Sequence, residues 1–177
     1  APLAPWRLEI DQYIRRQIPF QLTYRDAADR PLSFTICYAK VIPYERRQYL
    51  ECWCEETAGN RDVTELQHNW TLRLDRIPDA ALSSVRGKWR SNLDFLEVEL
   101  HLLGGLAFAY ESKTADISNE WLSDQTPPVR RVVRQISNTF WFFREVLRYG
   151  EDCIIISPQI VRERFCHKIR RLSEAYD

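Results

Sequence analysis

Leu32-Ser33-Phe34-Thr35-Ile36-Cys37-Tyr38-Ala39-Lys40-Val41-Ile42 is the stretch from which the fold is read. Side chains alternate across a strand, and here Leu32, Phe34, Ile36, Tyr38 and Ile42 share one face while Cys37, Ala39 and Val41 fall on the other. A run apolar on both faces and stopped by Pro43 predicts a long strand. Its neighbours keep the same period. Phe20, Leu22 and Tyr24 alternate with Gln21, Thr23 and Arg25, and the cluster from Asp26 to Pro31 reads as the intervening turn. Gln48 to Glu55 sets Leu50, Cys52 and Cys54 against Tyr49, Glu51 and Trp53. Trp70 to Ile77 sets Trp70, Leu72 and Leu74 against Thr71, Arg73 and Asp75, and Pro78 ends it. Ahead of them Ile10, Ile14 and Ile18 recur at helical spacing, opposite Arg15 and Arg16, until Pro19. A helix followed by four antiparallel strands of unequal length predicts a small, strongly curved β-barrel.

The rhythm changes in the second half. Residues 78–94 have mixed polarity, are expected to hold a helical piece, and contain the domain boundary. Beyond them Phe95 to Leu103 reads as a strand, Gly104-Gly105 as a break and Leu106 to Glu111 as a short helix. Pro127-Pro128 opens a strand to about Ile136, and Asn138 or Thr139 caps a helix that Gly150 closes. Ile154 to Ile156 is a strand core, and Ser157 and Pro158 stand at the N-cap and first position of a last helix. Val161, Phe165, Ile169, Leu172 and Tyr176 trace one stripe along that helix. Strands alternating with helices predict a ferredoxin-like α+β sandwich, so the chain is read as α+β with domains at 1–84 and 93–177.

Composition bounds the function. In 177 residues, 25 Lys plus Arg balance 25 Asp plus Glu, which argues against a protein coating duplex DNA by bulk charge. No run of about 18 apolar residues is present, and no signal segment opens the chain, so a cytoplasmic location is expected. Five cysteines in an odd count match no disulfide framework and read as packing residues. The chain starts at Ala1 and holds no Met, which predicts that the native chain extends upstream.

Few residues point to catalysis. Cys52 and Cys54 with His68 offer soft ligands, but the Cys-Trp-Cys spacing misses the usual zinc pairs and places both thiols on one strand face. His68, His101 and His167 lie on different elements with no serine elbow or phosphate loop beside them. Glu97 and Glu99 share the solvated face of a strand. The arginines are more informative. Arg15, Arg16, Arg46, Arg47, Arg73 and Arg76 accompany Tyr24, Tyr38, Tyr44, Tyr49 and Trp70 in the first half, and guanidinium forks with aromatic faces suit a short nucleic acid or nucleotide. Arg130, Arg131 and Arg134, with Arg162, Arg164, Lys168, Arg170 and Arg171, read as polar faces.

The order helix, Phe20 to Tyr24, Ile42-Pro43, Gln48-Tyr49-Leu50 and Leu72-Arg73-Leu74-Asp75-Arg76-Ile77 resembles the WYL domain, an SH3-like or Sm-like barrel closed by an arginine-rich strand. The second half resembles the C-terminal extension that often follows it. The resemblance implies a bacterial transcription regulator in which the WYL barrel senses a ligand and a winged helix reads operator DNA. Carried over by motif, Arg73, Arg76 and Tyr24 are the ligand-binding candidates, with Arg46 and Arg47 added by proximity to the tripeptide. Gln48 stands where the family has Trp, and Trp70 where many members have arginine. Nothing upstream of Trp6 corresponds to a winged helix. Glu51-Cys52-Trp53-Cys54 and His68-Asn69-Trp70 are similar to a cyanobacterial subgroup found beside CRISPR loci.

These readings together predict a non-enzymatic regulator without metal or cofactor, and no membrane partner. It would bind short single-stranded nucleic acid or a nucleotide, act as a homodimer, and control a CRISPR-type defence or DNA-damage operon through a DNA-binding domain outside this sequence. The alternatives are an RNA-binding accessory protein of a CRISPR system, a phosphate-processing enzyme such as a nuclease, and an interaction scaffold anchored by Trp6, Trp89 and Trp121.

Overall fold

A computed structural model describes residues 2–177. The chain forms two compact units, one of residues up to Arg61 with Gln67–Asp94, the other of Asp62–Leu66 with Phe95–Asp177. Each has its own apolar core.

The first unit opens with α1 (Pro5–Arg16), whose Pro stands in the first turn, where an N–H would go unused. Gln17 ends it in the left-handed region at φ 56°, and Gln17 and Ile18 return their N–H groups to the Ile14 and Tyr13 carbonyls. Five strands follow: β1 (Phe20–Arg25), β2 (Pro31–Tyr44), β3 (Arg47–Cys54), β4 (Asn69–Arg73) and β5 (Ala81–Ser84). They pair antiparallel in the order β4-β3-β2-β1-β5. Ile10, Phe20, Leu22, Ile36 and Leu50 are fully buried between α1 and the sheet. Each such side chain contributes about 1.5–3 kcal/mol of burial free energy.

Three features depart from the sequence reading. A bulge between Ile36 and Tyr38 breaks the alternation of the long strand, so Ala39 and Val41 join the core after Phe34 and Ile36. Tyr38 goes to the opposite face, where it meets Trp89. The fourth strand stops at Arg73, and Leu74–Arg76 forms a 3-10 turn in place of its expected last residues. The helical piece expected in 78–94 is instead the short strand β5, whose four residues are too few to show a period of their own and take their conformation from pairing with β1. Among the described residues β4 and β5 do not pair, so the expected barrel is an open sheet. It is nonetheless curled: Phe34 of β2 meets Trp70 of β4 with ring centroids 5.0 Å apart, although β3 lies between their strands.

The second unit runs β6 (Leu96–Leu102), α2 (Gly104–Ala109), β7 (Asp116–Leu122), β8 (Val129–Ile136), α3 (Thr139–Tyr149), β9 (Cys153–Ser157) and α4 (Gln159–Glu174). Its sheet order is β7-β8-β6-β9, all neighbours antiparallel. Val98, Leu100, Val132, Phe142, Phe143, Val146 and Val161 fill the core, and Val63 and Leu66 from the earlier segment complete it. Asp62 fixes that segment by accepting the Thr139 N–H and hydroxyl, both at 2.9 Å, while Asn138 caps α3 through the Trp141 N–H. β7 has no counterpart in the sequence reading, because Asp116-Ile117-Ser118-Asn119-Glu120 is polar and lies at the sheet edge. In α4 the stripe begins as expected at Val161 and Phe165, but Ile169, Leu172 and Tyr176 are 40%, 50% and 86% exposed. No helix among the described residues is long and apolar enough to cross a membrane.

Candidate functional site

The curl of the first sheet brings the β1–β2 hairpin against the end of β4. Between them lies a cleft of about 650 Å³ lined by Tyr24, Asp26, Ala27, Ala28, Arg30, Thr71, Leu72, Arg73, Arg76 and Ile77. Three of the five sequence candidates, Tyr24, Arg73 and Arg76, therefore share one cavity wall. The 3-10 turn is the reason. On an uninterrupted strand Arg73 and Arg76 would face opposite sides, but Arg73 is the last extended residue of β4 and Arg76 ends the turn, so strand alternation does not carry from one to the other.

Each cleft arginine is held differently. Arg73 donates Nε to Asp75 Oδ1 at 2.5 Å and Nη2 to Asp75 Oδ2 at 2.8 Å, a bidentate clamp that leaves Nη1 uncommitted. The hydrogen bonds from Arg73 hold the Asp75 carboxyl below the usual carboxylate range, and the same bonds raise the guanidinium. Arg30 is positioned by Asp26, which accepts the Ala28 and Arg30 backbone N–H groups at 2.9 Å and Arg30 Nε at 2.7 Å. Both terminal nitrogens of Arg30 remain available. Backbone donation from Arg30 is the main reason the Asp26 carboxyl lies low. Arg76 is exposed and has no hydrogen bond or ion pair among the described residues.

Tyr24 supplies the aromatic wall. Its half-buried ring stacks on Phe34 at 6.5 Å and 28°, and Phe34 is braced edge-on by Trp70, whose indole N–H donates to the Glu56 carbonyl at 2.8 Å. Burial raises the Tyr24 phenol, which keeps it a neutral donor at physiological pH. Trp70 thus supports the site from behind. A cleft lined by three guanidinium groups and one aromatic face, with Arg30 and Arg73 each paired to a carboxylate and Arg76 unpaired, is equipped to grip an anion carrying a flat ring.

No protein-family model matches the chain. No curated protein matches it. Solved structures that resemble it include proteasome accessory factor B/C (PafBC) of Arthrobacter aurescens and a CRISPR Cas-related protein. The first is 19% identical with a TM-score of 0.40, covering 99% of this chain and 28% of that one. The second is 12% identical with a TM-score of 0.46, covering 94% and 50%. The chain therefore spans half or less of either structure, and at these scores the functional reading rests on the residues themselves.

The remaining candidates lie elsewhere. Arg46 (φ 67°), with Glu45 (φ 47°), forms the tip of the β2–β3 hairpin, and neither lines the cleft. Arg47 lies near enough to Asp75 to help lower its carboxyl. Gln48, the residue in place of Trp, accepts a bond from the buried Arg7 of α1. Arg30 is the cleft residue that sequence reasoning missed. Its signal was the Asp26-to-Arg30 spacing inside a turn, readable as a self-hydrogen-bonded Asx loop but not as part of a site two strands away.

The other suspected chemistry resolves into packing. Cys52 and Cys54 are fully buried in the first core, and burial pushes the Cys54 thiol far up. His68 bonds the Cys54 carbonyl through Nδ1 at 2.7 Å and stacks on Trp53. Glu99 joins His101 and Arg131, both at 2.9 Å. Arg134, expected on a polar face, is buried between Asp116 and Glu145.

Proposed function

We propose that the first unit is the ligand-sensing part of a WYL-type transcription regulator, and that its cleft takes short single-stranded nucleic acid or a nucleotide. The observation that carries this reading is the convergence of Tyr24, Arg30, Arg73 and Arg76 on one cavity. A base stacked on Tyr24 would set its phosphate against Arg76 and the free nitrogens of Arg30 and Arg73. The volume accommodates one or two nucleotides rather than a duplex, which matches the absence of net positive charge on the chain.

In this proposal the helix, the five-strand order and the curl of the first sheet correspond to an open Sm-like barrel. The order β9-β6-β8-β7, with helices in both crossovers, corresponds to a ferredoxin-like sandwich that mediates dimerisation. Ligand binding shifts the dimer between arrangements, and a DNA-binding domain outside this sequence reads the shift at a defence or DNA-damage operon.

Salt dependence of oligonucleotide binding tests the reading. Three arginine–phosphate contacts on a single strand predict a slope of log K against log salt of about −2. A slope several times steeper, growing with RNA length, would favour the RNA-binding accessory protein instead. Turnover of the oligonucleotide with added Mg²⁺ would replace both readings with an enzyme.

A further inference from the structure

A second cleft of the first unit, of about 610 Å³, lies on the side of β2 and β3 away from the core and is lined by Cys37, Trp53, Glu55, Lys88, Trp89 and Arg90 together with Gly87 and Ser91. Its outer wall is the segment after β5, and that wall is built rather than loose. Val85 N–H bonds the Pro19 carbonyl at 3.0 Å, Arg90 N–H bonds the Cys37 carbonyl at 2.8 Å, and Asn69 holds both the N–H and the carbonyl of Asp94 at 3.0 and 2.8 Å. Gly87 makes the turn into the wall at φ +152°, a conformation L side chains rarely adopt.

The aromatic floor is equally fixed. Trp53 stacks on His68 at 4.5 Å and 13°, carries the Arg90 guanidinium 4.1 Å from its ring centre, and donates its indole N–H to Asp94 at 2.9 Å. Arg90 is tied to the same carboxylate at 3.1 Å. Trp89 is half-buried against Tyr38, with centroids 6.0 Å apart. Against these committed groups, two charged side chains in the cleft are uncommitted. Among the described residues, neither the Glu55 carboxylate nor the Lys88 ammonium has a side-chain hydrogen bond or ion pair, and both are exposed.

We infer that this cleft binds a planar heterocycle that carries hydrogen-bond donors on one edge and an anionic group at the other end, as in a guanine mononucleotide. Trp53 is already covered by His68 and Arg90, so Trp89 is the indole that meets a flat ring. An ionised carboxylate only accepts hydrogen bonds, and the adjacent N1–H and 2-amino donors of guanine match its two oxygens, whereas adenine offers an acceptor at N1. Lys88 meets the phosphate as a point charge. The site is independent of the Tyr24 cleft, since the two share no lining residue.

Isothermal titration of the full chain with GMP, AMP and guanosine tests it. With the Tyr24 cleft disabled by Arg76→Ala, one GMP is expected to bind per chain with Kd of about 0.1 mM or tighter, with AMP and guanosine each weaker by about tenfold. Glu55→Gln and Lys88→Ala, which disturb no packed group, should each weaken GMP about tenfold and leave circular dichroism unchanged. Arg76→Ala leaves the Trp89 cleft as it is, so that failure at one cleft is separable from failure at the other. Absence of GMP binding at about 1 mM, or binding indifferent to both variants, would overturn the assignment.

Discussion

Replacing Arg134 with methionine probes the buried cation of the second unit. Arg134 is 6% exposed and donates to Asp116 at 2.6 Å, Glu145 at 2.7 Å and the Tyr110 hydroxyl at 2.6 Å, where Asp116 is 2% and Glu145 19% exposed. Methionine fills similar volume but supplies no donor, so two nearly buried carboxylates lose their cation. Breaking a buried pair from one side costs about 3–5 kcal/mol. Both acids keep other partners: Asp116 the Tyr110 hydroxyl at 2.5 Å and the Lys113 N–H at 2.8 Å, Glu145 the Lys113 ammonium at 2.8 Å and the Tyr149 hydroxyl at 2.9 Å. That places Arg134→Met at the low end, about 3 kcal/mol against a domain stability of about 5–15 kcal/mol. Native-state hydrogen exchange at the β6 and β8 amides reads this unit's opening free energy separately from the first unit's. Burial pushes the Glu145 carboxyl up, but hydrogen bonds from Arg134 and Lys113 outweigh it and hold the group below its ordinary range. Its contribution is then complete above the unfolded carboxylate pKa of about 4.3 and is lost as pH falls through the lowered value. The gap between wild type and Arg134→Met must therefore narrow in acid. A loss under about 1 kcal/mol at neutral pH, or a gap unchanged in acid, would refute the reasoning.

Asp75→Ala releases the Arg73 fork, and short oligonucleotides should bind about two- to fivefold tighter by anisotropy; weaker binding would mean that the clamp itself holds the ligand-ready geometry. Four of the five thiols are buried, Cys153 among them with its pKa pushed up to about 12, so a disulfide reagent should titrate one thiol, Cys166, in the native protein and all five in denaturant. Fast reaction at a second thiol would contradict the packing described. Tyr24→Leu removes the stacking face, and oligonucleotide affinity should fall at least about fivefold with little change in salt slope.

Strands with internal period were legible in the sequence, and those without were not. Phe20-Gln21-Leu22-Thr23-Tyr24 and Gln48 to Glu55 announce themselves because one face is buried, whereas Ala81-Leu82-Ser83-Ser84 and Asp116 to Leu122 are edge strands defined by their partners. The bulge after Ile36 was hidden because the run is apolar on both faces, so either register satisfied the pattern. Likewise, the arginines near Asp75 were readable as a cluster. Their common orientation depended on a 3-10 turn that local alternation gave no reason to expect. Arg134 looked like one of three surface arginines on β8, since its partners Asp116 and Glu145 lie on other elements.

The central claim is that the Tyr24–Arg73–Arg76 cleft binds short single-stranded nucleic acid or a nucleotide. Fluorescence anisotropy of labelled short single-stranded DNA and RNA at physiological salt, with wild type beside Arg76→Ala and Arg73→Ala, tests it most directly. The account predicts saturable binding that Arg76→Ala weakens about tenfold or more, because this exposed guanidinium has no competing carboxylate, and that Arg73→Ala also weakens. Saturable binding that neither substitution alters, or no binding of any oligonucleotide or mononucleotide, would contradict it.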